Sequence, residues 1–207
     1  MDFSLSEDQR ALQESVRKFA TSELPDIAVE VEKSGESPGP GVMKKFADMG
    51  YLGVNLPTEL GGPGLGHRDA VIGFGESATI SPPLAFPVFE SSFGPLLAVV
   101  HFAPDELKQR IVPQVCAGEM IVAVAMSEPN AGTALTDLTT KAEAVGDEIV
   151  ITGGKTFISN GGKADYYLVF GKWSEIAAPK AAISALVLEK GAPGMGVPRL
   201  EGHPGHR

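Results

Sequence analysis

Apolar residues at Leu12, Val16, Phe19, Ala20 and Leu24 recur at helical intervals, which predicts one buried face of a first helix. Ser6 and Gln9 stand at capping-box spacing just ahead of it and mark its start. Pro25 breaks or restarts the helix, residues 27–33 read as a second short piece, and Ser37-Pro38-Gly39-Pro40-Gly41 reads as a turn. Met43, Phe46 and Met49 line another short helix, with Gly50 as its left-handed terminator. Further helical patterns cover residues 69–78, 89–101 and 105–112, the last opened by Pro104 and closed near Pro113.

After Gly118 the period changes. Residues 121–125, 141–145, 148–152, 155–159, 166–171 and 182–188 are short runs rich in β-branched or aromatic side chains, and each is predicted as a strand. Gly146-Asp147 and Gly153-Gly154 fall between consecutive runs, where hairpin turns need positive φ. The expected class is therefore α+β: an all-helical domain over residues 1–120, then an antiparallel β-sandwich or barrel over 121–207.

Composition narrows the function classes. With 207 residues, 43% of them apolar and 21% charged, the chain can build a core and lacks the signature of a disordered segment. Its 17 basic and 26 acidic side chains leave a net charge of -9, which argues against a nucleic-acid binder. The acidity sits in the first 120 residues, with 9 basic against 17 acidic groups; the remainder holds 8 and 9. Cys116 is the only cysteine, so no intrachain disulfide or cysteine-rich metal cluster is expected, and a reducing cytoplasmic setting follows. The first residues lack the basic and apolar regions of a secretory signal, and the longest apolar stretch, 96–103, is interrupted by His101; no membrane insertion is expected.

The four histidines at 67, 101, 203 and 206 are scattered, and His203 and His206 read as a terminal loop, so no metal site is expected. Gly61-Gly62-Pro63-Gly64-Leu65-Gly66 lacks the spacing of a phosphate loop and reads as a turn. Ser81 to Pro87 is proline-rich and reads either as a reshaped pocket wall or as a rigid loop.

Two stretches carry candidate chemistry. Val124-Ala125-Met126-Ser127-Glu128-Pro129-Asn130-Ala131-Gly132-Thr133 is a strand ending in a turn dense with small residues, hydroxyls and accessible amides. Gly153-Gly154-Lys155-Thr156-Phe157-Ile158-Ser159-Asn160-Gly161-Gly162 places an aromatic and a hydroxyl at alternate positions, which on a strand face one side. A ring system could stack on one and hydrogen-bond the other. The residues alone leave a second reading open, in which Ser127, Thr133 and Ser159 cap turns and Phe157 packs.

Residues 126–133 and 157–162 resemble the two flavin-binding signatures of the acyl-CoA dehydrogenase family. Met49-Gly50-Tyr51-Leu52-Gly53, Leu56-Pro57 with Gly61-Gly62, and Lys108-Gln109-Arg110 before Pro113 and Gly118-Glu119 resemble that family's helical-domain landmarks. The resemblance implies FAD as cofactor, with Val124, Met126, Ser127 and Gly132 along the flavin and Ser127 on the pyrimidine edge. It implies that Phe157 covers one flavin face, that Ile158 belongs to the same binding segment, and that the Ser159 hydroxyl points to N5. Thr133 would serve both the cofactor and the acyl-CoA substrate. Ser127, Phe157 and Ser159 replace the family's commoner Thr, Trp and Thr, and Ala134 stands where Asp is usual.

In that family a glutamate takes the α-proton of an acyl-CoA thioester while the β-hydrogen leaves as hydride, giving a trans-2-enoyl-CoA. The family's C-terminal helical bundle, which carries that glutamate, is expected to be absent here, so no residue is assigned as catalytic. The resemblance thus implies an acyl-CoA dehydrogenase in truncated or split form, inactive alone. It further implies a separate C-terminal subunit or a homo-oligomer, and electron-transfer flavoprotein as acceptor. The alternatives are a non-catalytic flavin- and acyl-CoA-binding module, or an acyl-CoA oxidase or flavin monooxygenase relative. The acyl chain itself is not specified by these residues.

Overall fold

A computed structural model describes residues 4–35, 39–178 and 182–198. The terminal segment with His203 and His206, and Ser37 and Pro38 of the first turn cluster, lie outside the described residues. The chain divides into two compact units, one running to Met120 and one beginning at Ile121.

The first unit is helical: α1 (Glu7–Glu23), α2 (Pro25–Ser34), α3 (Pro40–Asp48), α4 (His67–Ala78), α5 (Pro82–Phe93), α6 (Pro95–Phe102) and α7 (Asp105–Cys116). The capping box forms as spaced, with the Gln9 amide donating to Ser6 Oγ at 3.1 Å and the Ser6 amide to Gln9 Oε1 at 3.2 Å. Val16, Phe19, Ala20 and Leu24 are buried along the predicted face of α1. Phe46 of α3 is fully buried; its ring meets Phe19 edge-on at 5.1 Å, and Phe19 meets Tyr51 at 5.5 Å. Polar contacts join α1 to α4: Arg17 donates from two nitrogens to Glu76 at 2.8 and 2.9 Å, and Gln13 adds a third bond at 2.7 Å. The hydrogen bond from Arg17 outweighs burial and holds the Glu76 carboxyl below the usual carboxylate range.

Three helix boundaries differ from expectation. The pattern over 89–101 is two helices, because the backbone of Gly94 (φ -90°, ψ -142°) leaves helical geometry and Pro95 restarts it. Proline 113 does not end α7, which runs on to the buried Cys116. Ser81 to Pro87 is not a loop: Ser81 precedes the first turn of α5, whose Leu84, Ala85 and Val88 are fully buried. By length and composition the run Pro82–Phe102 could cross a membrane. Here Gly94 divides it, and Leu84, Val88, Leu96 and Val99 are spent on the helical core. The glycine run at 61–66 is a close-packed turn, in which a Cβ on Gly62 would strike the Leu56 carbonyl carbon at 2.7 Å.

The second unit carries β1 (Val122–Ala125), β2 (Lys141–Val145), β3 (Glu148–Thr152), β4 (Tyr166–Trp173) and β5 (Ile183–Glu189) in one sheet among the described residues. The purely antiparallel pairing expected for this domain is corrected to a mixed sheet. β4 pairs antiparallel with β5, but β1 and β2 both run parallel to β4, from Val122↔Tyr166 to Ala125↔Val169 and at Lys141↔Lys172. Only β2 and β3 form the expected hairpin through Gly146-Asp147, with Val145 opposite Glu148. Parallel neighbours need a crossover, and the excursion from 126 to 165, which contains both glycine-rich motifs, is that crossover.

A second correction concerns residues 155–159, which form no strand. Phe157 and Asn160 sit at φ +56° and +58°, left-handed values that interrupt extended pairing. Gly153-Gly154 accordingly leads out of β3 into this irregular segment rather than forming a hairpin.

Candidate functional site

The turn after β1 begins at Met126. Glu128 and Ala131 exchange backbone hydrogen bonds of 2.9 and 3.1 Å around Pro129-Asn130, which makes a tight reversal. Gly132 and Thr133 follow on the surface, with open space wherever a Cβ on Gly132 would project. Ala134 precedes a 3-10 turn over Leu135–Asp137 with no side-chain cap, a contact that Asp at this position could make.

Segment 155–162 returns beside this turn. The Thr156 amide donates to the Ser127 carbonyl at 3.0 Å, and Lys155 Nζ donates to the Met126 carbonyl at 3.0 Å and to Glu128 Oε1 at 2.8 Å. Ser127 is thus held on both flanks and at its own carbonyl. Ile158 packs against the apolar cluster of Ala123, Ala125, Ala164, Tyr167 and Val169, while the preceding Phe157 is 82% exposed. The Gly162 amide donates to the Tyr167 hydroxyl at 2.9 Å and closes the loop against β4.

The two motifs therefore meet through 126–128 and 155–156. Ser127 and Ser159 are half-buried and Phe157 is exposed, and because residues 155–159 form no strand, alternation does not set Phe157 and Ser159 on one face. Val124 is half-buried on β1, between the inward Ala123 and Ala125. Met126 offers a carbonyl already used by Lys155, and the Ile158 side chain points into the core, leaving its backbone for any ligand. Thr133 is exposed, and its carbonyl accepts from the Leu135 amide at 3.1 Å.

Glu128 is the group that sequence reasoning undervalued. It is 5% exposed, and both its oxygens are saturated: Oε2 accepts from the Thr139 amide and hydroxyl at 2.7 Å each, Oε1 from the Thr140 amide at 3.0 Å and from Lys155. Burial pushes this carboxyl up, but the bonds from Lys155, Thr139 and Thr140 outweigh it and hold Glu128 well below the usual carboxylate range. It is an ion at any physiological pH, with no free lone pair for a substrate proton. Lys155 was missed altogether; the available signal was one lone charge of each sign in two otherwise uncharged motifs.

The depressed acidity has a direction in pH. A group with a lowered folded pKa adds stability above its unfolded value and loses it on acidification. Stability followed by Trp173 fluorescence should hold at neutral pH and decline below about pH 5, with a shallower decline in Glu128→Gln. Equal slopes in the two proteins would count against the pair. Thr140 offers a second check: it is 2% exposed and its hydroxyl has no partner. Thr140→Val should raise stability by about 1 kcal/mol, because it removes an unsatisfied buried group. A lower urea midpoint would contradict this.

A planar, polar-edged ring suits this arrangement. A large aromatic is held outward at a left-handed φ, a conformation that costs on the order of 1–2 kcal/mol and persists only where its surroundings enforce it. Gly132 has open space where a Cβ would project, Ser127 and Ser159 are half-buried, and Thr133 is exposed.

Comparison with known proteins agrees. Residues 6–119 match the acyl-CoA dehydrogenase N-terminal domain and residues 123–207 its middle domain. The chain is 34% identical over 192 residues to mitochondrial isovaleryl-CoA dehydrogenase of Pongo abelii, covering 92% of this chain and 45% of that protein. Its fold matches acyl-CoA dehydrogenase from Geobacillus kaustophilus with a TM-score of 0.84 at 30% identity, over 94% of this chain and 51% of the other. It also matches PigA in its FAD complex, with a TM-score of 0.85 at 26% identity, over 94% and 51%. The chain spans about half the length of these relatives. Both halves of its sequence and its fold place it in one group: the chain belongs to the acyl-CoA dehydrogenase family.

Proposed function

We propose that this chain forms the flavin-contacting part of an enzyme that dehydrogenates an acyl-CoA thioester to the trans-2-enoyl-CoA, with FAD as cofactor. The observation that carries the reading is the 3.0 Å bond from the Thr156 amide to the Ser127 carbonyl, which sets the two flavin signatures side by side with Phe157 outward. FAD, when bound, supplies a two-electron acceptor for the β-hydrogen. Ser127 holds the polar edge of the ring system, Phe157 covers one face and excludes water from it, and the Ser159 hydroxyl orients toward N5. Thr133, exposed at the end of the turn, is shared with the acyl-CoA. The acceptor downstream is electron-transfer flavoprotein, and the setting is cytoplasmic.

Proton abstraction is assigned to no carboxylate of this stretch. Among the described residues the buried carboxylates are Glu76 and Glu128, and both are engaged in ion pairs. The base comes from a complementary half, on the same polypeptide, on a separate subunit or across a homo-oligomer. The same observation favours a second reading, a flavin- and acyl-CoA-binding module without turnover.

The test is titration of the 15N-labelled chain with FAD. Amide shifts should move at Ser127, Gly132, Thr133, Phe157 and Ser159 and stay still along α1. No movement at these positions at about millimolar FAD overturns the flavin reading. Subsequent anaerobic addition of a saturated acyl-CoA should leave the flavin absorption unbleached for this chain alone; bleaching would locate a base within it.

A further inference from the structure

We propose that Glu128 and Lys155 form a positioning pair, which sets the spacing between the turn after β1 and the Phe157 segment so that a flavin can lie against both. This rests on the flavin reading above. Neither side chain needs to touch the cofactor: the Glu128 and Lys155 side chains alone are 2% and 10% exposed, and their hydrogen bonds run inward.

The argument is one of placement. Segments 126–140 and 155–162 are irregular, so no sheet ladder fixes their separation. Lys155 bonds on both sides of Ser127, at Met126 O and Glu128 Oε1, and Glu128 gathers Thr139 and Thr140 from the far end of the turn. One ion pair thereby anchors three stretches that pairing leaves loose. A buried pair is a poor choice for stability alone, since apolar side chains of similar size serve as well or better. What it supplies is a fixed distance and orientation. The neighbouring strain points the same way: Phe157 keeps its left-handed φ between the anchored Lys155-Thr156 and the core-packed Ile158.

Three proteins test this: wild type, Lys155→Met, and the double variant Glu128→Gln/Lys155→Met. In Lys155→Met without flavin, hydrogen exchange should quicken at least about tenfold in segments 126–140 and 155–162, with β4 and β5 unchanged. FAD affinity should weaken about 10- to 100-fold, as when groups that orient a site's ligands are removed. The double variant leaves no unpaired buried charge, but its amide NH2 cannot accept from the Thr139 or Thr140 N–H as the carboxylate did, so its thermal midpoint should recover only part of the loss. Its FAD affinity and the FAD-induced shift at the Phe157 amide should not recover. A purely structural pair would recover both together, and that result overturns the proposal. So does a Lys155→Met protein that binds FAD as wild type does. A wild-type chain with no FAD response sinks the flavin reading and this proposal with it. That outcome is distinct from failure of the pair alone, in which all three proteins bind FAD equally.

Discussion

Phe46→Ala is expected to destabilise the helical unit by about 3–5 kcal/mol, the largest effect of any single truncation in that core. Phe46 is among the largest fully buried side chains, and its ring closes edge-on against Phe19, which in turn meets Tyr51. Alanine forfeits the transfer free energy of the ring and leaves a cavity bounded by two helices that cannot both collapse into it. Such a loss is a large part of the roughly 5–15 kcal/mol total stability of an ordinary domain. The check is the urea midpoint of helical circular dichroism, with Phe46→Leu as a milder control. A loss under about 1 kcal/mol would mean that the core around α3 relaxes and that Phe46 is not its keystone.

Phe157→Asn should move stability and binding in opposite directions. Asparagine tolerates the left-handed backbone far better than phenylalanine, and an 82% exposed ring has little burial to lose. The chain without cofactor should therefore gain about 1 kcal/mol. Flavin affinity should fall by about 1–3 kcal/mol, the usual worth of one aromatic stacked on a planar heterocycle. Thermal unfolding without FAD and titration with FAD read the two signs separately. A variant that loses stability would show that the ring packs on the protein itself, and one that keeps full FAD affinity would remove Phe157 from the site. A left-handed φ on an exposed ring is what distinguishes this residue from an ordinary surface aromatic.

Much of the helical unit was legible because its signals are local. Ser6 and Gln9 lie within one turn of each other, and the stripe from Leu12 to Leu24 needs nothing beyond α1 to be read. Proline was the weak point: Pro113 and Pro87 sit inside helices, and whether a chain tolerates them depends on neighbours that a local window does not contain. The two glycine-rich motifs were legible in sequence, since their glycines and hydroxyls are contiguous.

The sheet was less so. Alternation predicts that β1, β2 and β4 are strands but not which of them pair, and hairpin glycines bias the guess toward antiparallel neighbours. The run 155–159 has a strand's composition, yet its Thr156 amide donates to the Ser127 carbonyl and its Phe157 turns left-handed beside the β1 turn. Sequence alone thus determined the helices, the existence of most strands and the two glycine-rich motifs that mark the family, because propensity, capping and contiguous motifs act over a few residues. Only the tertiary structure decided the parallel pairing, the outward ring of Phe157 and the Glu128–Lys155 pair. Each of these depends on contacts between residues far apart in the chain, which exist only after the crossover has closed.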